Sequence, residues 1–67
     1  MRLNELKFEI SKKRYGMSEF AELLGLSRST LFRKINGITE FKLAEIQQIK
    51  KLLNLSDQRT IEIFFEE

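Results

Sequence analysis

The apolar residues of this chain recur at the three- and four-residue spacing of an amphipathic helix along most of its length. Leu3, Leu6 and Ile10, at positions i, i+3 and i+7, are one example. No stretch alternates apolar and polar residues for long enough to form a strand, and the chain has no Pro. The pattern therefore predicts a compact all-α domain. Its five short helices are expected over residues 2–13, 17–24, 28–36 and 42–53, with the last beginning at 56 or 57.

The ends of the second and third helices are marked by residues that favour helix termini. If Gly16 is the N-cap of the second helix, Tyr15 and Phe20 form a hydrophobic staple across its first turn. If Ser27 is the N-cap of the third helix, its hydroxyl accepts a hydrogen bond from a free backbone N–H. Gly25, between them, can adopt the left-handed conformation that ends a helix. These ends predict two short helices separated by a tight turn, the geometry of a helix-turn-helix.

The composition limits the chemistry that the chain can carry. Its 67 residues are near the lower limit for one core, so we expect a single domain over residues 1–67. Without Cys or His it lacks disulfides, the commonest metal ligands and the commonest general base. We therefore expect no enzyme activity, no metal, no cofactor and no small-molecule ligand.

The N-terminus and the longest apolar runs bear on where the protein is found. No apolar run approaches the roughly 20 residues that span a bilayer, and the polar N-terminus is not a signal peptide. The chain opens with Met1 and carries no targeting segment that we recognise. We therefore expect a complete cytoplasmic protein of bacterial or phage origin, with no membrane contact.

The charges are divided unevenly along the chain. Residues 1–37 hold eight basic and four acidic side chains, a net charge of +4, whereas residues 38–67 hold four basic and six acidic ones, a net charge of −2. A basic half joined to an acidic half suits a protein that faces phosphate on one side.

Residues 18–31, with the sequence SEFAELLGLSRSTL, resemble the helix-turn-helix of the lambda-repressor-like family of phage repressors, Cro proteins and XRE-type regulators. Residues 41–55 and 61–65 are similar to small repressors from phages of Gram-positive bacteria. The resemblance implies a five-helix DNA-binding domain whose second and third helices form the motif over residues 17–36. The matched positions are Ala21, Gly25, Leu26, Leu31, Asn36 and Gly37.

In that family the third helix enters the major groove, so the resemblance implies base contacts for Arg28, Ser29, Phe32 and Arg33. Arg28 and Arg33 fit guanine, whose O6 and N7 accept a bidentate guanidinium. Ser29 would discriminate less between bases, because a hydroxyl can form a hydrogen bond with several of them. Phe32 can contact a thymine methyl group, although an aromatic residue in a helix more often lies in a core or an interface.

The resemblance also implies contacts between the helix ends and phosphate. Two of these residues have an alternative role within the fold. Ser27 is first of all a helix cap, and Asn36 followed by glycine suits the end of a helix. The predicted phosphate contacts are Ser18, Ser27, Thr30, Lys34 and Asn36.

One such domain reads too few base pairs to select a site in a genome. The resemblance implies a two-fold homodimer on a palindromic operator, formed in solution or only on the DNA. The C-terminal residues 56–67 are the predicted dimer contact, through the apolar cluster Ile61, Ile63, Phe64 and Phe65. For Ile61 and Phe64, closure of the small core is an equally good interpretation.

The leading hypothesis is a sequence-specific transcriptional regulator of Cro or repressor type that binds double-stranded DNA. The alternative is a helical protein-interaction module, similar to an antitoxin or an anti-repressor, that keeps the fold without reading bases. A gel shift distinguishes the two, because a module of the second kind retards DNA only weakly and stops doing so at physiological salt.

Overall fold

The computed structural model describes residues 1–66, which form five α-helices and no strand. This confirms the predicted all-α class, and each helix end lies within one residue of its predicted position. Residue 67, which the predicted domain and dimer contact include, lies outside the described residues. The helices are α1 (Leu3–Lys12), α2 (Met17–Leu23), α3 (Arg28–Ile35), α4 (Leu43–Leu52) and α5 (Asp57–Phe64).

Helices α2 and α3 begin and end through the local interactions that the sequence predicts. The rings of Tyr15 and Phe20 lie 5.4 Å apart between centroids, which confirms the staple at the start of α2. Gly25 has φ +74°, the left-handed conformation that stops α2. The Ser27 hydroxyl accepts a hydrogen bond of 3.1 Å from the Thr30 N–H and caps α3.

The core lies where α2 packs on α3, and α1 lies against both α3 and α5. Helix α4 packs on α5, where Phe41 and Phe64 meet edge to face at 5.6 Å between ring centroids. No helix within residues 1–66 is long and apolar enough to cross a membrane. The largest fully buried side chains are Phe20, Leu6, Ile10, Leu31, Ile49, Leu53 and Ile63.

The C-terminal apolar cluster is divided between the core and the surface. Ile63 and Phe64 are 0% and 4% exposed, so their prediction as dimer contacts is wrong. The physical reason is that α5 packs against two helices, α1 and α4, and turns two adjacent positions inward. Ile61 and Phe65 remain 43% and 60% exposed. Leu43, at the start of α4, is exposed as well.

Helix α5 is held to α1 by one arginine and two carboxylates of α1, and a third carboxylate within α5 contacts the same arginine. The guanidinium of Arg59 lies 2.7 Å from Glu5, 2.9 Å from Glu9 and 3.3 Å from Glu62. The hydrogen bond from Arg59 lowers the pKa of Glu5. Burial by itself raises the pKa of Glu9, but the bonds from Arg59 and Lys12 outweigh it, and that pKa also lies below its ordinary value.

The lowered pKa values of Glu5 and Glu9 make the stability depend on pH. In acid the unfolded chain binds more protons than the folded protein, so this contribution is complete above the ordinary value of 4.5 and disappears as the pH falls through the lowered values. We expect the urea concentration at half-unfolding to decrease as the pH is lowered from about 5 to about 3. Arg59→Met should make this decrease smaller. Lys51, exposed and without an ion pair among residues 1–66, gives the control Lys51→Met. An identical pH profile for Arg59→Met and the parent protein would contradict the account.

Candidate nucleic-acid interface

Helix α3 turns one side into the core and presents the other to solvent. Leu31 and Ile35 are buried between α3 and its neighbours, which fixes the rotation of the helix about its axis. All four predicted base-contact residues are exposed, and together they line one open depression of the surface. We call this depression the α3 surface; it consists of Arg28, Ser29, Phe32 and Arg33.

The side chains of the α3 surface are free to meet another molecule. Phe32 is 62% exposed, which excludes the alternative that it belongs to the core. Neither Arg28 nor Arg33 forms an ion pair within the described part of the chain, in contrast to Arg59. The Arg33 guanidinium lies 3.4 Å from the Thr30 hydroxyl, a contact that leaves most of its donors unused.

The start of α3 carries two of the predicted phosphate contacts. The Ser27 hydroxyl donates to the Thr30 hydroxyl at 2.8 Å while it accepts from the Thr30 N–H. The same Thr30 oxygen then accepts from Arg33. Ser27 is therefore the helix cap, and the short chain of bonds connects the cap to Arg33. Phosphate contacts by Ser27 and Thr30 stay predictions.

The other two exposed candidates differ in how far their polar atoms are already used. The Asn36 amide donates to the Phe32 carbonyl at 2.8 Å, at the C-terminus of α3, and Gly37 follows in the left-handed conformation. Asn36 therefore ends the helix, as its alternative interpretation holds. Ser18 is exposed in the first turn of α2. Phosphate contacts by either residue stay predictions.

Lys34 is not a phosphate contact. It is buried, and its ammonium group lies 2.8 Å from a Glu45 carboxylate oxygen and 3.0 Å from the Glu40 carbonyl. The same Glu45 oxygen accepts the Lys42 N–H at 2.8 Å at the start of α4. The physical reason is the rotation of α3, which points position 34 at α4 rather than at solvent.

The charge state of Glu45 agrees with this role. Burial raises the pKa of Glu45, but the bonds from Lys34 and from the Lys42 N–H outweigh it, so its pKa lies below the ordinary value. The carboxylate is therefore ionised and its attraction to Lys34 is preserved. One signal for this contact is visible in the sequence, because Glu45 stands at the third position of α4, where a carboxylate caps a helix start.

Lys7 of α1 was not among the predicted site residues. It lines a cleft of about 250 Å³ beside the α3 surface, together with residues of α2 and α3. Its distance along the chain from α3 explains why local patterns did not identify it. We call this the α1–α3 cleft; its lining residues are Lys7, Met17, Arg28, Phe32, Ile35 and Asn36.

The buried ion pair of Lys34 and Glu45 predicts that Lys34 contributes more to the free energy of unfolding than the adjacent Arg33 does. Lys34→Met leaves the Glu45 carboxylate without its cationic partner and should lower the free energy of unfolding by about 1–3 kcal/mol. The matched control Arg33→Met, at an exposed position, should change it by less than about 0.5 kcal/mol. Adding Glu45→Leu to Lys34→Met should recover only part of the stability: it removes the unpaired buried charge, but it also removes the acceptor of the Lys42 N–H. Urea unfolding measures all three variants. Unchanged stability in Lys34→Met would refute the structural role.

A family model provides the comparison with known proteins. The model of the BetR domain matches residues 3–63. The chain matches no curated protein and no solved structure. The lambda-repressor-like resemblance was therefore wrong, since the matching model describes a different family. The match supports the coarser functional prediction of a small helical regulatory domain that binds DNA, but not the Cro or repressor type. The chain belongs to the BetR domain family.

Proposed function

We propose that this protein is a sequence-specific regulator that binds double-stranded DNA with α3 in the major groove. The observation that carries the proposal is the α3 surface, where two arginines without carboxylate partners flank a largely exposed Phe32. Such a group suits base edges: guanidinium groups bind guanine, and an aromatic ring can contact a thymine methyl group. The net charge of +4 on residues 1–37 favours approach to phosphate.

The size of the domain supports a dimer on the DNA. Helix α3 has eight residues, and at 1.5 Å per residue it is about 12 Å long, enough for one short half-site. Selecting a genomic site needs more base pairs than one such helix can read. Two copies related by a two-fold axis would read a palindrome with half-sites about one helical turn apart.

Ile61 and Phe65 are the proposed dimer contact. They lie one helical turn apart at the C-terminus of α5, where the Phe65 N–H donates to the Ile61 carbonyl at 2.9 Å. Both side chains are exposed, and apolar groups at this spacing share a face of the helix. Glu62 and Glu66, their neighbours in sequence, would disfavour phosphate at this end.

The α3 surface predicts which side chains determine the sequence preference. Selection from random duplex DNA should return a palindromic consensus. Arg28→Ala and Arg33→Ala should each relax one position in each half-site and weaken binding by about 1–3 kcal/mol for each bidentate arginine–guanine pair removed. Lys51→Ala, which removes an exposed cation on α4, is the matched control and should leave the consensus unchanged. Titrations of labelled duplex at low and at physiological salt, with all variants compared at the same concentration, measure the affinities.

Two outcomes of that experiment would contradict the proposal. The first is that no consensus emerges, or that the consensus is the same for Arg28→Ala, Arg33→Ala and the parent protein. The second is weak retardation that disappears at physiological salt. That result would favour a protein-interaction module with this fold instead.

The dimer contact predicts a change in oligomeric state. Ile61→Ser and Phe65→Ser should shift sedimentation toward the monomer and reduce cooperative binding to a two-half-site duplex, since each removes exposed apolar area that a partner would cover. Phe8→Ser, which removes an aromatic ring of similar exposure from α1, is the control. Sedimentation is measured with and without DNA, because the dimer can form on the duplex alone. If Phe8→Ser and not Phe65→Ser dissociated the dimer, the contact would lie elsewhere.

A further inference from the structure

The α1–α3 cleft combines an apolar wall with cationic groups. Its apolar lining consists of the buried Ile35, the half-buried Met17 and the exposed ring of Phe32. Lys7 from α1 and Arg28 from α3 supply its two positive charges. A pocket of this kind, apolar with a few polar groups, suits a small molecule that is itself part apolar and part charged.

The two cations of the cleft are not used within the fold. Neither Lys7 nor Arg28 has an ion pair or a side-chain hydrogen bond among residues 1–66. Lys34 and Arg59, by contrast, are held by carboxylates at 2.7–2.9 Å. Both cations are exposed and therefore available to an external anion.

Asn36 adds a neutral polar group beside the cations. Its amide nitrogen is oriented by the bond to the Phe32 carbonyl, and its side-chain oxygen has no donor in the part of the chain that the structure describes. A DNA phosphate would meet the charges of the cleft but would leave the apolar groups of Met17 and Ile35 uncovered. An apolar body attached to the anion would cover them.

The sequence-based expectation is that the chain has no small-molecule ligand. Contrary to it, we propose that the α1–α3 cleft binds a small amphipathic anion, a carboxylate carried on a short aliphatic or aromatic body, and that the bound anion competes with DNA. Competition follows because Arg28 and Phe32 line both the cleft and the α3 surface. The competition rests on the proposed DNA-binding function, whereas the anion site does not. The cleft thus makes the DNA affinity respond to a metabolite of this chemical class.

The anion site is tested on the free protein with octanoate as the probe. In a two-dimensional ¹H–¹⁵N NMR titration, octanoate should cause saturable shifts centred on the amides of Lys7, Met17, Phe32 and Asn36. Octan-1-ol, which lacks the charge, and acetate, which lacks the apolar body, should bind at least several times more weakly. Lys7→Gln should weaken octanoate binding about two- to fivefold, the effect of one exposed ion pair. Lys51→Gln should leave it unchanged.

Three results would overturn the anion site. One is equal binding of octan-1-ol and octanoate, which would indicate apolar adsorption without charge recognition. Another is a set of shifts spread equally over Phe8, Ile61 and Phe65, the exposed apolar residues elsewhere. The third is a response of the cleft amides to DNA but not to octanoate, which would assign Lys7 to a phosphate contact.

Competition is then measured with a random-sequence 20-base-pair duplex at low salt. Octanoate should raise the concentration of parent protein that half-saturates the duplex. Sodium chloride at the same ionic strength should raise it less. Lys7→Gln keeps Arg28 and should still bind the duplex, but with a reduced response to octanoate. Octanoate binding without any effect on the duplex would overturn the competition. Failure of the duplex to bind at all would instead remove the proposed function and leave the anion site supported by the NMR titration.

Discussion

The burial of Leu31 and Ile35 fixes how the exposed side of α3 is presented. The contact of the Lys34 ammonium group with Glu45 follows from the same rotation of α3. The ion pair joins α3 to the start of α4, and the same carboxylate caps α4 through the Lys42 N–H. The rotation that buries Leu31 and Ile35 also carries position 34 inward, so its charge must be neutralised inside the protein. With that side of the helix occupied, the two remaining basic residues of α3 face solvent. The α3 surface and the α1–α3 cleft both depend on this rotation.

Local structure was the part of the molecule that the sequence could predict. Tyr15, Phe20, Gly25 and Ser27 act within one or two turns of a helix, so their spacing carried the information needed to locate the ends of α2 and α3. The surface position of Arg28, Ser29, Phe32 and Arg33 was implied by the resemblance, and the structure leaves all four exposed. The family assignment failed because caps, a turn glycine and apolar spacing describe a pair of short helices, and more than one family is built from such pairs.

Contacts between distant helices could not be predicted in this way. The inward positions of Ile63 and Phe64 depend on α5 having α1 on one side and α4 on the other. The bond between Arg59 and Glu9 spans fifty positions of sequence, and Lys7 meets α3 only through the packing of α1. From the sequence, Phe64 suited the core and the dimer contact equally well, and Arg59 and Lys7 had no assigned partner. Which of them turned inward was decided by the packing of whole helices, a property that a single helical pattern does not contain.

The left-handed conformation of Gly25 has a consequence for the chirality of the chain. A Cβ atom added there would meet no other atom within 4 Å, so the site has room for a side chain and excludes one only through the φ of +74°. An L-alanine would cost about 1 kcal/mol or more in backbone strain. A D-alanine prefers this φ and would also restrict the unfolded chain, which favours the folded state. At position 25, the turn between α2 and α3 therefore disfavours an L residue because of its backbone conformation, and not because a side chain would lack room.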